Sequence, residues 1–374
     1  MIPRLLQKTI EKYLFNGKAI IIFGPRQVGK TTLLQMISEN TEKKTLYLNC
    51  DEPDIRKELT EVSSSQLKSL IGNVEIVMID EAQRIKNIGL TLKLITDQIK
   101  NVQLIATGSS AFELANEINE PLTGRKYEFL LSPISTKEMI NYTSILEEKR
   151  LLERRLIFGM YPDIINSTGN ERDKLNNMIG SYLYKDIFTY QDIRKPDTLE
   201  KLLEALALQI GSEVSYNELS RIVQVDFYTI RRYIDLLEKS YVIFRLRSFS
   251  RNVRNEIKKS RKIYFYDNGI RNAVISNYNK IDLRTDKGAL WENFLVSERL
   301  KYLNNNYLFT NKYFWRTQMQ QEIDYIEEYD GILHAYEFKW SEKSRKRFPK
   351  TFINAYPKSE TKVISKENYL DFIG

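Results

Sequence analysis

Along the first third of the chain, apolar residues gather in short runs separated by amphipathic stretches. Ala19–Phe23 is wholly apolar and of strand length, and a loop and the amphipathic stretch Thr31–Glu39 follow it. Further strand-like runs stand at Thr45–Asn49, Glu75–Asp80 and Val102–Thr107, with helical patterns between them. Strands alternating with helices predict an α/β layer built on a parallel sheet. From about Leu151 to Gln209 the pattern turns helical. Helix–turn–helix spacing comes next, then strand-like Tyr241–Phe249 and Lys262–Tyr266. From Ala289 a helix gives way to strands at Tyr313–Arg316, Glu322–Tyr329 and Ile332–Trp340, a second return to α/β that predicts a separate C-terminal domain. No internal repeat and no low-complexity segment interrupts the pattern.

The loop after the first strand carries chemistry. Gly24-Pro25-Arg26-Gln27-Val28-Gly29-Lys30-Thr31 satisfies G-x-x-x-x-G-K-[ST] in full, between a buried strand and a helix. The glycines let backbone N–H groups turn toward phosphates, and the helix N-terminus at Lys30, Thr31 and Thr32 adds favourable potential. Lys30 is expected to reach the β- and γ-phosphates of ATP, and Thr31 to place its hydroxyl on Mg²⁺. Glu75–Glu81 ends in two acids: Asp80 suits the Mg²⁺ partner and Glu81 the residue that orients the attacking water. A third strand ends in Thr107-Gly108-Ser109-Ser110, where a polar side chain such as Ser109 would sense the γ-phosphate or the water. A helix cap at Ser109 or Ser110 explains the same residues.

Composition adds little to this and removes several alternatives. The 374 residues carry a net charge of +8, which favours acidic partners such as nucleic acid and equally fits a solvated basic surface. Cys50 is the only cysteine, which excludes an internal disulfide and points to a reducing compartment. His334 is the only histidine, so neither a His-rich zinc site nor a His-based triad can be built. No apolar run approaches the ~20 residues that span a bilayer, and the start of the chain lacks the apolar core of a signal peptide. A cytoplasmic protein with no membrane partner is the expectation.

In the middle of the chain, Ser215-Tyr216-Asn217-Glu218 reads as a capping box opening a short helix to about Val223. A turn at Gln224–Asp226 leads to a second helix, Phe227–Lys239, and the order resembles a winged helix–turn–helix. Tyr228, Thr229, Arg231 and Arg232 on the second helix suit a major groove. Downstream, Arg245, Arg247, Arg251, Arg254, Lys258, Lys259, Arg261 and Lys262 suit phosphate contacts. Such modules serve equally well as lids or protein-binding surfaces.

Near the C-terminus, Asp330-Gly331 between two alternating runs signals a two-residue hairpin. Pairing Tyr329 with Ile332 would set Asp324 opposite Glu337 and Glu322 opposite Lys339. Alternation would put those four on one face and Ile323, Tyr325, Tyr336, Phe338 and Trp340 on the other. Directly opposed carboxylates repel unless something compensates, and a divalent metal on Asp324 and Glu337 would do so. The order Asp, then Glu-x-Lys, resembles the core of PD-(D/E)xK nucleases. Glu292, in Trp291-Glu292-Asn293-Phe294, matches the acid those folds supply from an earlier helix. A merely wet polar face with a Glu322–Lys339 ion pair explains the same residues. The basic run Lys343, Arg345, Lys346, Arg347 and Lys350 stands beside it.

Nearly the whole chain resembles the archaeal-type AAA+ ATPases, related to the STAND NTPases, that carry a C-terminal domain of unknown function. Gly24–Leu34, Ile79-Asp80-Glu81-Ala82-Gln83 and Thr107-Gly108-Ser109-Ser110-Ala111 match its ATPase motifs, as do Leu122-Thr123-Gly124-Arg125 and Leu131-Ser132-Pro133-Ile134-Ser135. The resemblance implies that Arg125 stabilises charge on the transferred phosphate, in cis or across a subunit contact of a homo-oligomer. Gly159-Met160-Tyr161-Pro162 is similar to the family's Gly-Gly-aromatic-Pro element, whose proline approaches the adenine; Met160 stands where a second glycine is usual. Asp80-Glu81-Ala82-Gln83 also resembles a helicase box, but no helicase arginine motif or second recombinase-like lobe accompanies it.

The resulting expectation is four segments: an AAA+ ATPase domain over 1–140, a helical lid or linker over 141–197, a winged helix–turn–helix over 198–268 and a nuclease-like α/β domain over 269–374. Together they predict an ATP-driven switch acting on nucleic acid, DNA in the first instance. The alternative is a nucleotide-dependent interaction protein whose C-terminal region binds without cleaving.

Overall fold

A computed structural model describes residues 1–109, 118, 121–180, 196–250, 261–341 and 348–374. Ser110 and Ala111, the basic residues Arg251, Arg254, Lys258 and Lys259, and Lys343, Arg345, Lys346 and Arg347 lie outside the described residues. The chain divides into two compact units. Unit 1 comprises 1–134, 239–241 and 304–307; unit 2 comprises 135–238, 242–303 and 308–374.

Unit 1 holds a five-stranded, all-parallel sheet of β1 (Ala19–Phe23), β2 (Thr45–Asn49), β3 (Ile76–Asp80), β4 (Gln103–Gly108) and β5 (Lys126–Leu130). Their spatial order is β2-β3-β4-β1-β5. The three inner strands are buried at every position, as near-continuous apolar runs covered on both faces must be. The edge strands β2 and β5 each bury one position, Leu48 and Phe129, and leave the others half-buried or exposed. That half-polar pattern is why Lys126–Leu130 does not stand out as a strand in the sequence. The order matters to the site because β4 lies between the P-loop strand and the strand that ends in Asp80. The C-terminal ends of β1, β3 and β4 share one edge of the sheet, where an open parallel sheet places its ligands.

Unit 2 holds a seven-stranded mixed sheet of β6 (Glu213–Val214), β7 (Ile243–Ser248), β8 (Arg261–Phe265), β9 (Asn311–Arg316), β10 (Glu322–Tyr329), β11 (Ile332–Phe338) and β12 (Glu360–Ile364). Their order is β12-β11-β10-β9-β7-β8-β6. Strands from the 198–268 and 269–374 segments thus share one sheet, joined where β7 pairs in parallel with β9. The helices Tyr216–Val223 and Phe227–Lys239 precede β7, and Ser215 Oγ accepts the Glu218 N–H. The 19-residue helix Lys287–Asn305 lays Trp291, Phe294 and Leu295 in a core with Tyr264, Tyr325, Phe338 and Phe372.

The hairpin at Asp330-Gly331 has both residues at positive φ, 51° and 74°, the backbone of the tight two-residue turn. Tyr329 pairs with Ile332 and the ladder runs on to Tyr325 opposite Tyr336. Beyond that point the expected faces are corrected. A bulge against β9 lies between Ile323 and Ile326, so Ile323 packs with Ile326, Trp315 and Phe352 and not beside Tyr325. Glu322 is redirected with it: it pairs with Lys262, and Lys339 pairs with Glu337 in place of the Glu322–Lys339 bridge.

Candidate functional site

In unit 1 the P-loop is shaped by close backbone approach. A Cβ on Gly24 would fall 2.2 Å from the Leu131 carbonyl oxygen, so no other residue fits there. Gly29 turns left-handed at φ 91° and starts the helix Lys30–Glu39. Arg4, buried near the start of the chain, donates to the Val28 carbonyl at 2.7 Å and to the Ser132 carbonyl at 2.6 Å. One guanidinium thereby ties the loop to the segment after β5. Among the described residues, Pro25, Arg26 and Gln27 complete the loop, with Gln27 left-handed at φ 62°.

Lys30 is buried and donates to the Gly24 and Pro25 carbonyls, both at 3.1 Å, with Glu81 Oε1 at 3.8 Å. The Thr31 hydroxyl donates to Asp80 Oδ2 at 2.6 Å. Tyr47, from β2, donates to the same oxygen at 2.7 Å, and Thr107, at the end of β4, donates to Asp80 Oδ1. The Glu81 N–H reaches Thr107 Oγ1 at 3.0 Å. Burial, and then the Asp80 carboxylate it bonds, push the Tyr47 phenol well above its usual range, so it serves Asp80 as a neutral donor. Burial and the same carboxylate push the Cys50 thiol up to about 12, which leaves it an inert core residue.

The sequence places Thr31, Asp80 and Glu81 correctly as one group, brought together because β3 and β1 end on the same edge. Among the β4 residues, Thr107 touches Asp80, while Ser109 acts one step out. Gln83 Nε2 donates to Ser109 Oγ at 2.9 Å and to Glu81 Oε2 at 2.5 Å. A hydroxyl beside a buried carboxylate is the hard-oxygen pair Mg²⁺ takes, and the glycine-lined loop leaves room for phosphate oxygens. The residues therefore fit Mg·ATP. Arg4, Tyr47 and Gln83 carry no motif-level role; only Gln83 has a sequence signal, as the last residue of Asp80-Glu81-Ala82-Gln83.

Arg125 lies elsewhere. Its carbonyl accepts the Ala19 N–H at 2.9 Å, at the end of β1 remote from the P-loop, and its side chain pairs with Asp97 at 2.9 Å. Five residues of strand, about 16 Å, separate that point from Gly24, which corrects the expectation of a role in cis. Pro162 belongs to unit 2, where it opens the short helix Pro162–Ile165. Gly159 is left-handed at φ 76°, whereas Met160 is not, so the methionine at the usual glycine position carries no backbone strain.

The C-terminal acids of unit 2 gather, but around a lysine. Lys262, from β8 and 1% exposed, donates to Glu292 Oε1 at 2.9 Å and sits 2.5 Å from Glu322 Oε1. Tyr264 also donates to Glu292 Oε1, at 2.6 Å. Asp324 Oδ2 accepts the Phe338 N–H at 2.8 Å, and Glu337 lies buried with Lys339 at 3.1 Å. As the side chains stand, no group of three or more His, Cys, Asp or Glu among the described residues could hold a metal ion. Of the two expected metal ligands, Asp324 accepts a strand N–H and Glu337 pairs with Lys339, and the cation beside Glu292 and Glu322 is the Lys262 ammonium. Of the basic residues expected at phosphate, Lys262 is buried and Arg245 pairs with Asp235 and Glu238, whereas Arg247 is exposed.

Comparison with known proteins agrees with this division. Residues 16–140 match the family model of an AAA domain, and residues 149–281 and 287–371 match two domains of unknown function, DUF8612 and DUF4143. An uncharacterized protein of Mycobacterium tuberculosis is 26% identical over 336 residues, covering 88% of this chain and 72% of its own. One from Methanocaldococcus jannaschii is 25% identical over 387 residues, covering 95% and 82%. Among solved structures, the Walker-type ATPase of Pyrococcus abyssi superposes with a TM-score of 0.51 at 16% identity, over 74% of this chain and 96% of that one. Unit 1 has the α/β fold and the motifs of an AAA-type P-loop ATPase. Among the described residues no helix is long and apolar enough to cross a membrane.

Proposed function

We propose that the chain is an ATP-driven switch: unit 1 hydrolyses Mg·ATP, and unit 2 engages nucleic acid without cutting it. The observation that carries the reading is the Thr31–Asp80–Thr107 cluster beside Lys30 and Glu81, on one edge of the sheet. Mg²⁺, held by Thr31 and Asp80, would supply positive charge at the β- and γ-phosphates. Lys30 adds a second positive charge there, and Glu81 orients and polarises the attacking water. Thr107 and Tyr47 hold the Asp80 carboxylate in place, and Gln83 links Glu81 to Ser109. Pro162 is proposed to approach the adenine and Arg125 to act on the site of a neighbouring copy, as the AAA+ resemblance implies.

For unit 2, two observations favour binding. Tyr228, Arg231 and Arg232 are exposed on the helix Phe227–Lys239, in the order of a winged helix–turn–helix, which supports a DNA-facing surface. The lysine among the C-terminal acids favours the interaction reading over cleavage. Docking of a partner protein on the same helix is the competing outcome.

Steady-state ATP hydrolysis tests the central reading. Lys30→Ala and Glu81→Gln should each lower kcat by about 100-fold or more, with nucleotide binding kept in Glu81→Gln. A Lys30→Ala protein hydrolysing ATP at the wild-type rate would exclude it. DNA affinity unchanged by Tyr228→Ala and by Arg231→Ala would shift unit 2 to the protein-binding outcome.

A further inference from the structure

The acids of the C-terminal cluster come from two elements, and a third supplies the cation. Glu292 is on the helix Lys287–Asn305, and Glu322 and Asp324 are on β10. The cation is Lys262 on β8, with Tyr264 two residues along the same strand. The Lys262 ammonium lies against oxygens of two carboxylates, and the Asp324 charge acts on it as well. The Phe314 ring covers it at 5.6 Å. An ammonium buried to this degree persists only when its desolvation is offset by opposite charge and hydrogen bonds, and here the three acids supply both.

A divalent ion would need the same carboxylate oxygens at roughly 2.0–2.6 Å. With Lys262 in place it would stand within about 4 Å of a positive charge, and that repulsion opposes its binding. Asp324 is also partly spent, since one of its oxygens accepts the Phe338 N–H.

We infer that Lys262 stands in the place of a divalent cation among Glu292, Glu322 and Asp324, so that this cluster holds no metal while the lysine is present, and that removing the ammonium opens a metal site. The lysine does structurally what a metal does in a nuclease: it compensates clustered acids and joins the helix to two strands. It cannot do the chemistry, because an ammonium neither lowers the pKa of a bound water nor offers open coordination positions. The inference is independent of the P-loop reading, whose ligands lie in unit 1.

The experiment uses the full chain without nucleotide, with Asp80→Asn in every sample so that the P-loop contributes no metal. Mn²⁺ binding is followed by electron paramagnetic resonance and by the shift in melting temperature. The Lys262-intact protein should show no Mn²⁺ dependent on Asp324. Lys262→Ala, and Lys262→Met as the variant that keeps the stem, should bind one Mn²⁺ at least about tenfold more tightly. That gain should vanish on adding Asp324→Asn. Should the variants unfold on their own, Mn²⁺ should refold them, and failure to do so counts against the inference. A Lys262-intact chain that binds Mn²⁺ through Asp324, or that cleaves linear, circular or single-stranded DNA with Mg²⁺ or Mn²⁺ in an Asp324-dependent way, would overturn it. Folded lysine variants that gain no metal would overturn it equally.

Discussion

The Asp267 carboxylate accepts the Met160 N–H at 2.7 Å through one oxygen, while its other oxygen caps the next helix by accepting the Gly269 and Ile270 N–H groups. One side chain therefore fixes the Gly159–Pro162 element against the helix Asn268–Val274. Gly159 makes room for it: a Cβ there would lie 1.9 Å from Asp267 Oδ1, at a φ of 76°. Gly159→Ala should destabilise unit 2 by about 3 kcal/mol through strain and overpacking. All three tryptophans, Trp291, Trp315 and Trp340, lie in unit 2, so intrinsic fluorescence in a urea titration reports that unit alone. An unchanged midpoint would show that the carboxylate moves freely and that the element is not fixed by it.

Arg4 is expected to matter to nucleotide binding through the backbone of the loop. Its charge-assisted bonds to the Val28 and Ser132 carbonyls hold the loop from behind. Arg4→Ala leaves two buried carbonyls without these donors, a loss of about 2–3 kcal/mol. Affinity for a fluorescent ATP analogue should fall along with stability. Arg4→Lys, with a single point of charge, should recover only part of it. Equal affinities in all three proteins would show that the loop needs no such tie.

Arg125 makes a sharper test of assembly. At the end of β1 remote from Gly24, it can act on phosphate only in another copy of the chain. Arg125→Ala and Glu81→Gln should each lack ATPase activity. Mixed in equal amounts, they should regain a measurable fraction, because a site with Glu81 can then receive Arg125 from its neighbour. Full activity of Arg125→Ala by itself would confine the residue to its surface pair with Asp97.

The acid cluster predicts a pH dependence with a definite sign. Burial raises the Glu292 carboxyl from 4.5 to about 7, against the pull of Lys262 and the Tyr264 hydroxyl and with the help of the Asp324 charge. Glu322 joins on the same lysine, with Arg316 at 3.8 Å from it. The native state thus holds this proton more tightly than the unfolded chain. Its contribution to stability is fully present below about 4.5 and is lost as pH rises through about 7, on the order of 3 kcal/mol at most. Lys262 is raised too, so its own charge persists across that window. Urea midpoints read by tryptophan fluorescence should fall between those two pH values and flatten in Glu292→Gln. The same slope in both proteins would place the titrating group elsewhere.

The P-loop and the acid strand are legible in the sequence because their chemistry is local: a glycine spacing, a lysine, two acids after an apolar run. The hairpin at Asp330-Gly331 is legible for the same reason, since two positive-φ residues in succession favour this dipeptide. What the sequence hides is whatever depends on distant partners. Nothing in Lys-Tyr-Glu-Phe-Leu marks β5 as an edge strand, and nothing near Met1 marks Arg4 as the anchor of a loop more than twenty residues on. The bulge between Ile323 and Ile326 arises from pairing with β9, so counting alternate residues along β10 alone assigned Ile323 and Glu322 to the wrong company. Lys262 was legible as a basic residue, and only the sheet shows that it faces inward.

The junction of β7 with β9 has a consequence for anyone dividing this chain. Residues 149–281 and 287–371 match separate families, yet β7 and β8 come from the first region and β9 to β12 from the second. Cutting between them would unpair β7 from β9 and leave an open strand edge on each fragment, the kind that pairs with whatever strand it meets. It would also leave Lys262 on one piece and its three carboxylates on the other. The two regions share one sheet within one compact unit, so a boundary drawn between the family matches runs through the middle of that sheet.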